Sequence, residues 1–208
     1  MTTPKTKRLF GTDGVRGEVG RFPLDAATME TIGASLATRL RERTGAPPLI
    51  IVGRDTRESG EWLEAALIRG ALANGASCES AGVITTPGVA FLARTLGAHA
   101  GVVISASHNP YQDNGVKVFA PTGRKLDDET ERLIEADIFA GVELQASTPK
   151  SYDASASSDQ LQSRYLDFLA NRIGHDLSLD AMKIVVHISR QIKVDNERHL
   201  LNINTARQ

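Results

Sequence analysis

The sequence predicts an α/β fold: a mixed, mainly parallel β-sheet with helices on both faces. Three observations support this prediction. Short apolar runs of strand length alternate with longer segments whose apolar residues recur at helical spacing. Two strand-helix-strand steps follow one another between residues 49 and 106. Of the 208 residues, 41% are hydrophobic, which is enough apolar material to bury a core.

The composition argues against several classes of protein. Lys and Arg number 24 against 25 Asp and Glu, so the net charge of −1 favours neither nucleic acid nor an anionic membrane as a partner. Cys78 is the one cysteine, which rules out a disulfide within this sequence. No apolar run approaches the roughly 20 residues of a membrane span. The first residues lack the apolar region of a secretory signal, so we expect a cytoplasmic enzyme.

The first helix is expected to begin at Asp25, a suitable N-cap, and to end near Gly45. The run LIIVG (49–53) then predicts a buried strand, and a second helix should extend from near Ser59 to Gly75. The apolar stripe of the first helix consists of Met29, Ile32, Leu36 and Leu40.

The next segments continue the alternation. SAGVI (80–84) predicts a strand, the Thr86–Pro87 break precedes a short helix that ends near Gly97, and AGVVISA (100–106) predicts another strand. GVKVFA (115–120) is a further strand, followed by a turn. The segment DDETERLIEADI (127–138) predicts a helix whose first turn is acidic, as suits the helix dipole.

A domain boundary is predicted where the composition changes to Ser, Ala, Thr and Pro, between residues 141 and 159. We therefore assign 1–155 to the first domain and 156–208 to the start of a second α/β domain. The second part contains a helix candidate, LQSRYLDFLANRIG (161–174), and a strand candidate, MKIVV (182–186). From about residue 187 the chain is polar and has no clear apolar face.

Residues that can carry chemistry crowd the segment SASHNPYQDNG (105–115) at the end of a predicted strand. Open α/β sheets bind ligands at that edge, so Ser107 stands in a favourable place. The alternative is that the polar side chains only satisfy backbone groups in a turn. Two further loops favour a phosphate site: FGTDGVRG (10–17) and GRDTRESG (53–60) carry glycine N–H groups and guanidinium groups.

Four motifs of this chain resemble those of the N-terminal domain of the α-D-phosphohexomutases and occur in the same order. They are FGTDGVRG, GRDTRESG, TTPG and SASHNPYQDNGVKVF. The resemblance covers roughly residues 8 to 186. The spelling GTDGVRG, with Tyr111 and Asp113, is most similar to the branch that acts on glucosamine phosphates. Family members that act on glucose or mannose phosphates remain the alternative.

The resemblance implies that Ser107 is the phosphorylated catalytic residue. In the family this serine gives its phosphoryl group to a hexose 6-phosphate, and the resulting 1,6-bisphosphate returns its other phosphoryl group. The net reaction implied here is the interconversion of glucosamine 6-phosphate and glucosamine 1-phosphate. Arg16 and Lys117 are the matching basic residues, and Lys117 is expected to take part in acid/base chemistry.

Neighbouring residues have less specific expected roles. His108 would hydrogen-bond the phosphate or assist proton movement, unless it is only a turn histidine bonded to backbone. Asn109 and Asn114 are expected to shape the loop. An ion-pair cluster that braces the serine loop, rather than a substrate contact, is expected of Arg54, Asp55 and Arg57.

The resemblance also implies Mg²⁺, held by phosphorylated Ser107 and by three aspartates of a DGDADR-like loop in a second domain. Neither that motif nor the sugar-selecting E-x-S-G-H loop occurs in the 208 residues. We therefore expect an N-terminal portion of such an enzyme, with a hexosamine phosphate as substrate and a possible homodimer as assembly. The alternative is a noncatalytic remnant. We expect this chain alone to present Ser107 for phosphorylation without sustaining turnover.

Overall fold

The computed structural model describes residues 8–12, 14–141, 155–178 and 183. Between residues 25 and 106 strands and helices alternate as predicted, but the first strand, Val15–Glu18, begins inside the segment 10–17, which was expected to be a loop. In chain order the elements are β1 (Val15–Glu18), α1 (Ala26–Thr44), β2 (Leu49–Arg54), α2 (Gly60–Ala73), β3 (Ser77–Val83), α3 (Thr86–Thr95), β4 (Ala100–Ile104), β5 (Asp113–Phe119), α4 (Asp128–Ala140) and α5 (Ser155–Phe168), followed by a π-helical turn at Leu169–Ile173.

The strands form one sheet in the order β1-β5-β4-β2-β3. β2 pairs in parallel with both β3 and β4, whereas β5 is antiparallel to both β4 and β1. Four strands therefore run in one direction and β5 runs against them. The expected mixed, mainly parallel sheet is confirmed.

Helices cover both faces of the sheet, as predicted. Alternate residues of each strand point to opposite faces. Ile50 and Val52 of β2 accordingly join a core cluster with residues of α1, α2 and α4, while Ile51 joins a second cluster with residues of α3 and α5. Burial on both faces explains why the central strands are apolar runs rather than alternating patterns.

Local signals place the helix ends where they were expected. The Asp25 carboxylate accepts a hydrogen bond from the Thr28 N–H at 2.9 Å, which caps α1. Gly45 ends that helix in the left-handed conformation, with φ of 71°. Asp127 caps α4 in the same way as Asp25 caps α1. Among the described helices, none is long and apolar enough to cross a lipid bilayer.

The predicted helix at 161–174 is present, and it begins earlier, at Ser155. Although the sequence analysis assigned it to a second domain, α5 packs on the first sheet. The Gln162 side chain donates to the Ala81 carbonyl of β3 at 2.8 Å, and the rings of Phe91 and Phe168 stack at 4.3 Å between centroids. The division of the chain at 155 stays a prediction. The predicted strand at 182–186, apart from residue 183, and the tail lie outside the described residues.

Candidate functional site

The serine loop, residues 105–112, joins β4 to β5 at the carboxyl edge of the parallel strands. The loop that follows β2, residues 55–59, lies at the same edge, because β2 and β4 are parallel neighbours. Ser107 and His108 are exposed there. The edge is where open α/β sheets bind ligands, so the fold presents Ser107 at a favourable position.

Ser107 has an uncommon backbone conformation. Its φ is 60°, and it is the one non-glycine residue with positive φ in the described part of the chain. A residue with a Cβ is strained there, so the surrounding contacts must hold it. The Ser107 N–H donates to the Ser105 hydroxyl at 3.0 Å, and the Ser105 N–H in turn donates to the Gly115 carbonyl of β5 at 2.9 Å.

The Arg57 guanidinium supplies most of the other contacts that hold the serine loop. Its side chain is only 9% exposed, although it lies in a surface loop. All five of its N–H donors have an acceptor, and four of these are carbonyls of the segment 107–113. Nε donates to Asp55 Oδ2 at 3.1 Å, Nη1 donates to the carbonyls of Pro110 at 2.6 Å and Asp113 at 2.9 Å, and Nη2 donates to those of Ser107 at 3.0 Å and Asn109 at 2.8 Å.

The expected brace is thus formed by Arg57 and Asp55, whereas Arg54 has a different role. Arg54 Nε donates to Glu64 of α2 at 2.9 Å, and the same carboxylate accepts a hydrogen bond from Ser80 of β3. Burial raises the pKa of the Glu64 carboxyl and outweighs the lowering effect of Ser80 and Arg54. Arg54 therefore ties β2 to α2 rather than to the serine loop.

Arg16 reaches the serine loop from β1. It lies opposite Gly115 of β5, and a Cβ built on Gly115 would stand 3.1 Å from Arg16 Cγ. The missing side chain at 115 thus leaves the space that the Arg16 side chain occupies. Arg16 Nη1 donates to Asn109 Oδ1 at 3.2 Å, and the Asn109 amide donates to Asp113 at 2.9 Å.

Lys117 and His108 complete the set predicted from the sequence. Lys117 is half-buried on β5, opposite Val103, and lies two residues beyond Gly115 on the same face of the sheet. His108 Nδ1 is 3.4 Å from Ser107 Oγ. His108 therefore lies within the serine loop beside Ser107, Arg16 contacts the loop from β1, and Lys117 lies further along β5.

The glycine-rich loop contributes less backbone to the site than expected. The N–H groups of Gly11 and Gly14 donate to each other's carbonyls, at 2.9 and 3.4 Å, so both are used within the turn. Gly14 has φ of 86°, and a Cβ there would stand 2.1 Å from the Val116 carbonyl oxygen. Gly14 thus lets the chain pass close to β5, and among the described residues of the loop Arg16 makes the contact with the serine loop.

One contact at the site escaped the sequence analysis. Asn114 is completely buried, and its amide donates to the Ser59 hydroxyl at 2.9 Å. The Ser59 side chain therefore links β5 to the start of α2 instead of capping that helix. The bond from the Ser107 N–H to the Ser105 hydroxyl could have been recognised from the sequence. A serine side chain often accepts a hydrogen bond from the backbone N–H two residues further on in a turn.

The described residues do not by themselves fit a magnesium site. Within 8–12, 14–141, 155–178 and 183, no group of three or more His, Cys, Asp or Glu side chains could hold a metal ion. The Asp113 carboxylate, which follows the serine loop at the start of β5, accepts a hydrogen bond from the Asn109 amide.

Comparison with known proteins agrees with the fold and the motifs. Residues 7–145 match the family model described as phosphoglucomutase/phosphomannomutase, alpha/beta/alpha domain I. A solved structure of a phosphoglucomutase/phosphomannomutase family protein from Burkholderia thailandensis superposes with a TM-score of 0.60 at 26% identity. The match covers 79% of this chain and 36% of that one.

Curated relatives agree. A phosphoglucosamine mutase from Koribacter versatilis is 45% identical over 83% of this chain and 38% of its own length. Another from Solibacter usitatus is 55% identical over 64% of this chain and 30% of its own length. The chain thus spans about two fifths or less of these relatives. Since the family model matches more than half of the chain, the chain belongs to the phosphoglucomutase/phosphomannomutase family.

Proposed function

We propose that this chain carries the phosphoserine of a phosphoglucosamine mutase, with Ser107 Oγ as the atom that accepts and donates the phosphoryl group. The observation that carries the proposal is the exposed Ser107 at the carboxyl edge of the sheet, in a loop held by Arg57. The names of the curated relatives support the reaction, an interconversion of glucosamine 6-phosphate and glucosamine 1-phosphate.

In the proposed reaction, phosphorylated Ser107 transfers its phosphoryl group to the free hydroxyl of the sugar monophosphate. The Oγ–P bond breaks, a sugar O–P bond forms, and the proton of the sugar hydroxyl passes to Ser107 Oγ. In the return step the other sugar O–P bond breaks, the Oγ–P bond forms again, and the Ser107 proton passes to the freed sugar oxygen. The serine is phosphorylated again at the end of each cycle.

The residues near Ser107 suit a phosphate. A phosphoserine carries about −1.5 to −2 charges at neutral pH. Arg16 donates a hydrogen bond to Asn109 of the serine loop, and we propose that its guanidinium also binds the phosphate on Ser107. His108 is adjacent to the hydroxyl, and Lys117 is the proposed acid/base group on the same face of the sheet. Phosphoryl transfer depends mainly on positioning and on stabilisation of charge. Basic side chains around a loop held in one conformation can supply both.

For Mg²⁺ we propose only one ligand from this chain, the phosphorylated side chain of Ser107. The phosphoryl group on Ser107 would be a ligand, and Mg²⁺ would neutralise charge on the transferring group. Because the described residues do not complete a metal site, the other ligands must come from elsewhere. The homodimer and the cytoplasmic location stay predictions.

The proposed sugar is glucosamine rather than glucose or mannose. Curated relatives named phosphoglucosamine mutase are 41–55% identical to this chain. Identity to solved phosphoglucomutase and phosphomannomutase structures that it matches is lower, at 26–32%.

The test is to incubate the purified chain with glucosamine 1,6-bisphosphate and Mg²⁺ and to follow the intact mass. We expect the addition of one phosphoryl group, located at Ser107 by fragmentation of the peptide. Glucose and mannose 1,6-bisphosphates, tested at the same concentration, measure sugar preference.

Two variants serve as controls. Ser107→Ala should remove the added phosphoryl group, whereas Ser77→Ala, at an exposed serine that begins β3, should keep it. Phosphorylation at another residue, or none at all in a folded chain, would contradict the proposal.

A further inference from the structure

We propose that Arg57 is a positioning residue that holds Ser107 in its left-handed conformation and thereby sets the direction from which Ser107 Oγ meets a phosphoryl group. The inference rests on the proposed function for its consequence in phosphoryl transfer. The conformational part stands on the geometry of the loop alone.

The first step of the argument is that Arg57 has no donor left for a substrate. Each of its five N–H groups already has an acceptor at 2.6 to 3.1 Å. Four of the acceptors are carbonyl oxygens between residues 107 and 113, and a carbonyl is a backbone feature that any residue supplies. Arg57 therefore binds the backbone of the loop in one conformation and makes no hydrogen bond to the loop's side chains.

The second step is that the loop needs such a brace. Ser107 has φ of 60°, which is strained for a residue with a Cβ, and it is exposed, so no core packing encloses it. A strained conformation persists only where surrounding contacts over-determine it. The bond from Arg57 Nη2 to the Ser107 carbonyl acts on the strained residue itself, and the bond to the Asn109 carbonyl acts just beyond it.

The third step is that the brace is itself anchored. Asp55 accepts from Arg57 Nε through Oδ2 and from the Arg57 backbone N–H through Oδ1, at 3.1 and 3.0 Å. The Asp55 N–H donates to the Ile104 carbonyl at the end of β4, at 3.1 Å. The guanidinium is thus fixed to the strand that leads into the serine loop. A lysine cannot reproduce this arrangement, since its ammonium has three donors and no planar fork.

The first arm of the test measures conformation without any substrate. Ser107→Gly and Ser107→Ala are compared in the wild-type chain and in Arg57→Lys by urea unfolding of the full chain. Glycine adopts positive φ without strain and alanine does not. We expect Ser107→Gly to have the higher unfolding midpoint in the wild-type background. In Arg57→Lys the released loop relaxes, so the difference between glycine and alanine should shrink.

The second arm measures phosphorylation of Ser107 by glucosamine 1,6-bisphosphate. In this step a sugar O–P bond breaks, the Oγ–P bond forms, and the Ser107 proton passes to the freed sugar oxygen. Arg57→Lys should slow this step about 100-fold, because a displacement of around 1 Å in a reacting group has an effect of that size. Arg39→Lys is the matched control. Arg39 Nη2 donates to both carboxylate oxygens of Asp137 and so links α1 to α4 away from the serine loop, so the same substitution should leave the rate unchanged.

The outcomes separate the two proposals. If the wild-type chain is not phosphorylated, the proposed function fails and the glycine-alanine comparison alone decides the role of Arg57. If Arg57→Lys is phosphorylated at the wild-type rate, or the glycine-alanine difference is the same in both backgrounds, the inference is overturned. Should Arg57→Lys fail to fold, Asp55→Asn takes its place. This substitution removes the carboxylate charge that binds Arg57. The glycine-alanine difference and the rate of Ser107 phosphorylation should then both fall, but by less than in Arg57→Lys.

Discussion

At the scale of single residues, the site depends on what is missing at position 115 as much as on what is present around it. Gly115 has the Ser105 and Val15 carbonyl oxygens each 2.8 Å from the place where a Cβ would stand, and Arg16 Cγ lies 3.1 Å away. The two carbonyls belong to the neighbouring strand and to the serine loop, and neither can move without shifting backbone. Arg16 and the serine loop are thus coupled through the absence of one side chain.

We predict that Gly115→Ala lowers the free energy of unfolding by about 1–3 kcal/mol, the usual cost of overpacking. The same change should slow phosphorylation of Ser107, because the new methyl group displaces Arg16. Urea denaturation measures the first effect, and mass spectrometry of the phosphorylated chain measures the second.

Gly11→Ala is the control, because a Cβ there would be 3.6 Å from its nearest neighbour, an ordinary contact. A Gly115→Ala chain as stable as Gly11→Ala would show that the contacts around Gly115 yield easily.

At the scale of the elements, α1 and α2 cross so closely that backbone touches backbone. A Cβ on Gly33 would lie 1.9 Å from the Leu67 carbonyl oxygen, and one on Gly70 would lie 1.9 Å from that of Glu30. The two glycines therefore set the distance between the helices, and with it the position of the layer that covers one face of the sheet.

We predict that Gly70→Ala destabilises the chain by about 1–3 kcal/mol or more. The new methyl group would meet the Glu30 carbonyl, which cannot move without displacing α1. The sign of the change in stability tests the close crossing of α1 and α2. In the interior of a helix, replacement of glycine by alanine otherwise gains about 1 kcal/mol of helix propensity. A rise in the denaturation midpoint would therefore contradict the close crossing.

The start of α4 offers a pH-dependent test. Partial burial would raise the pKa of the Asp127 carboxyl, but the hydrogen bonds from Thr130, assisted by Arg43, outweigh it and hold the pKa below its ordinary value of 3.8. A depressed carboxyl pKa means that the ionised form stabilises the fold. This stabilisation is present above the unfolded pKa and is lost as the pH falls through the folded one.

We predict that wild type exceeds Asp127→Asn in stability by about 0.3–1 kcal/mol at pH 7, since asparagine caps a helix as well but lacks the charge that favours its N-terminus. The difference should disappear as the pH falls below 3.8. Denaturation of both chains across this range is the measurement. An equal difference at pH 7 and at the acid end would show that the charge of Asp127 contributes nothing. Asp127→Ala should be less stable than both chains throughout.

At the scale of the whole molecule, the described residues include Ser107, the proposed phosphoryl acceptor, but do not complete a metal site. The chain also matches at most about two fifths of the curated relatives' length. Loss of the metal would remove several kcal/mol of stabilisation from the transferring group, and each 1.4 kcal/mol or so corresponds to a tenfold change in rate.

We predict that the 208-residue chain is phosphorylated at Ser107 but forms glucosamine 1-phosphate orders of magnitude more slowly than an intact relative. The assay supplies glucosamine 6-phosphate, Mg²⁺ and a trace of the 1,6-bisphosphate, and follows the 1-phosphate. Turnover near that of the relative, abolished by Ser107→Ala, would refute the prediction. It would show that the 208 residues suffice or that another copy supplies the missing groups.

Local patterns in the sequence determined the elements of the fold from α1 onwards and the place of the serine loop, whereas β1 lies in a segment that the sequence predicted as a loop. The caps at Asp25 and Gly45, the apolar strands and the acidic start of α4 each depend on residues a few positions apart, so they can be recognised without knowledge of the tertiary contacts. The family motifs likewise pointed to Ser107, because each is a contiguous run of residues.

Tertiary structure alone decided which side chain meets which. Arg54 and Arg57 lie three residues apart in one motif, yet Arg54 pairs with Glu64 and Arg57 holds the serine loop some 50 residues away. The order of strands in the sheet and the packing of α5 on β3 are likewise contacts between distant segments. Such pairings depend on which surfaces bury each other in three dimensions, and the spacing of residues along the chain does not encode that choice.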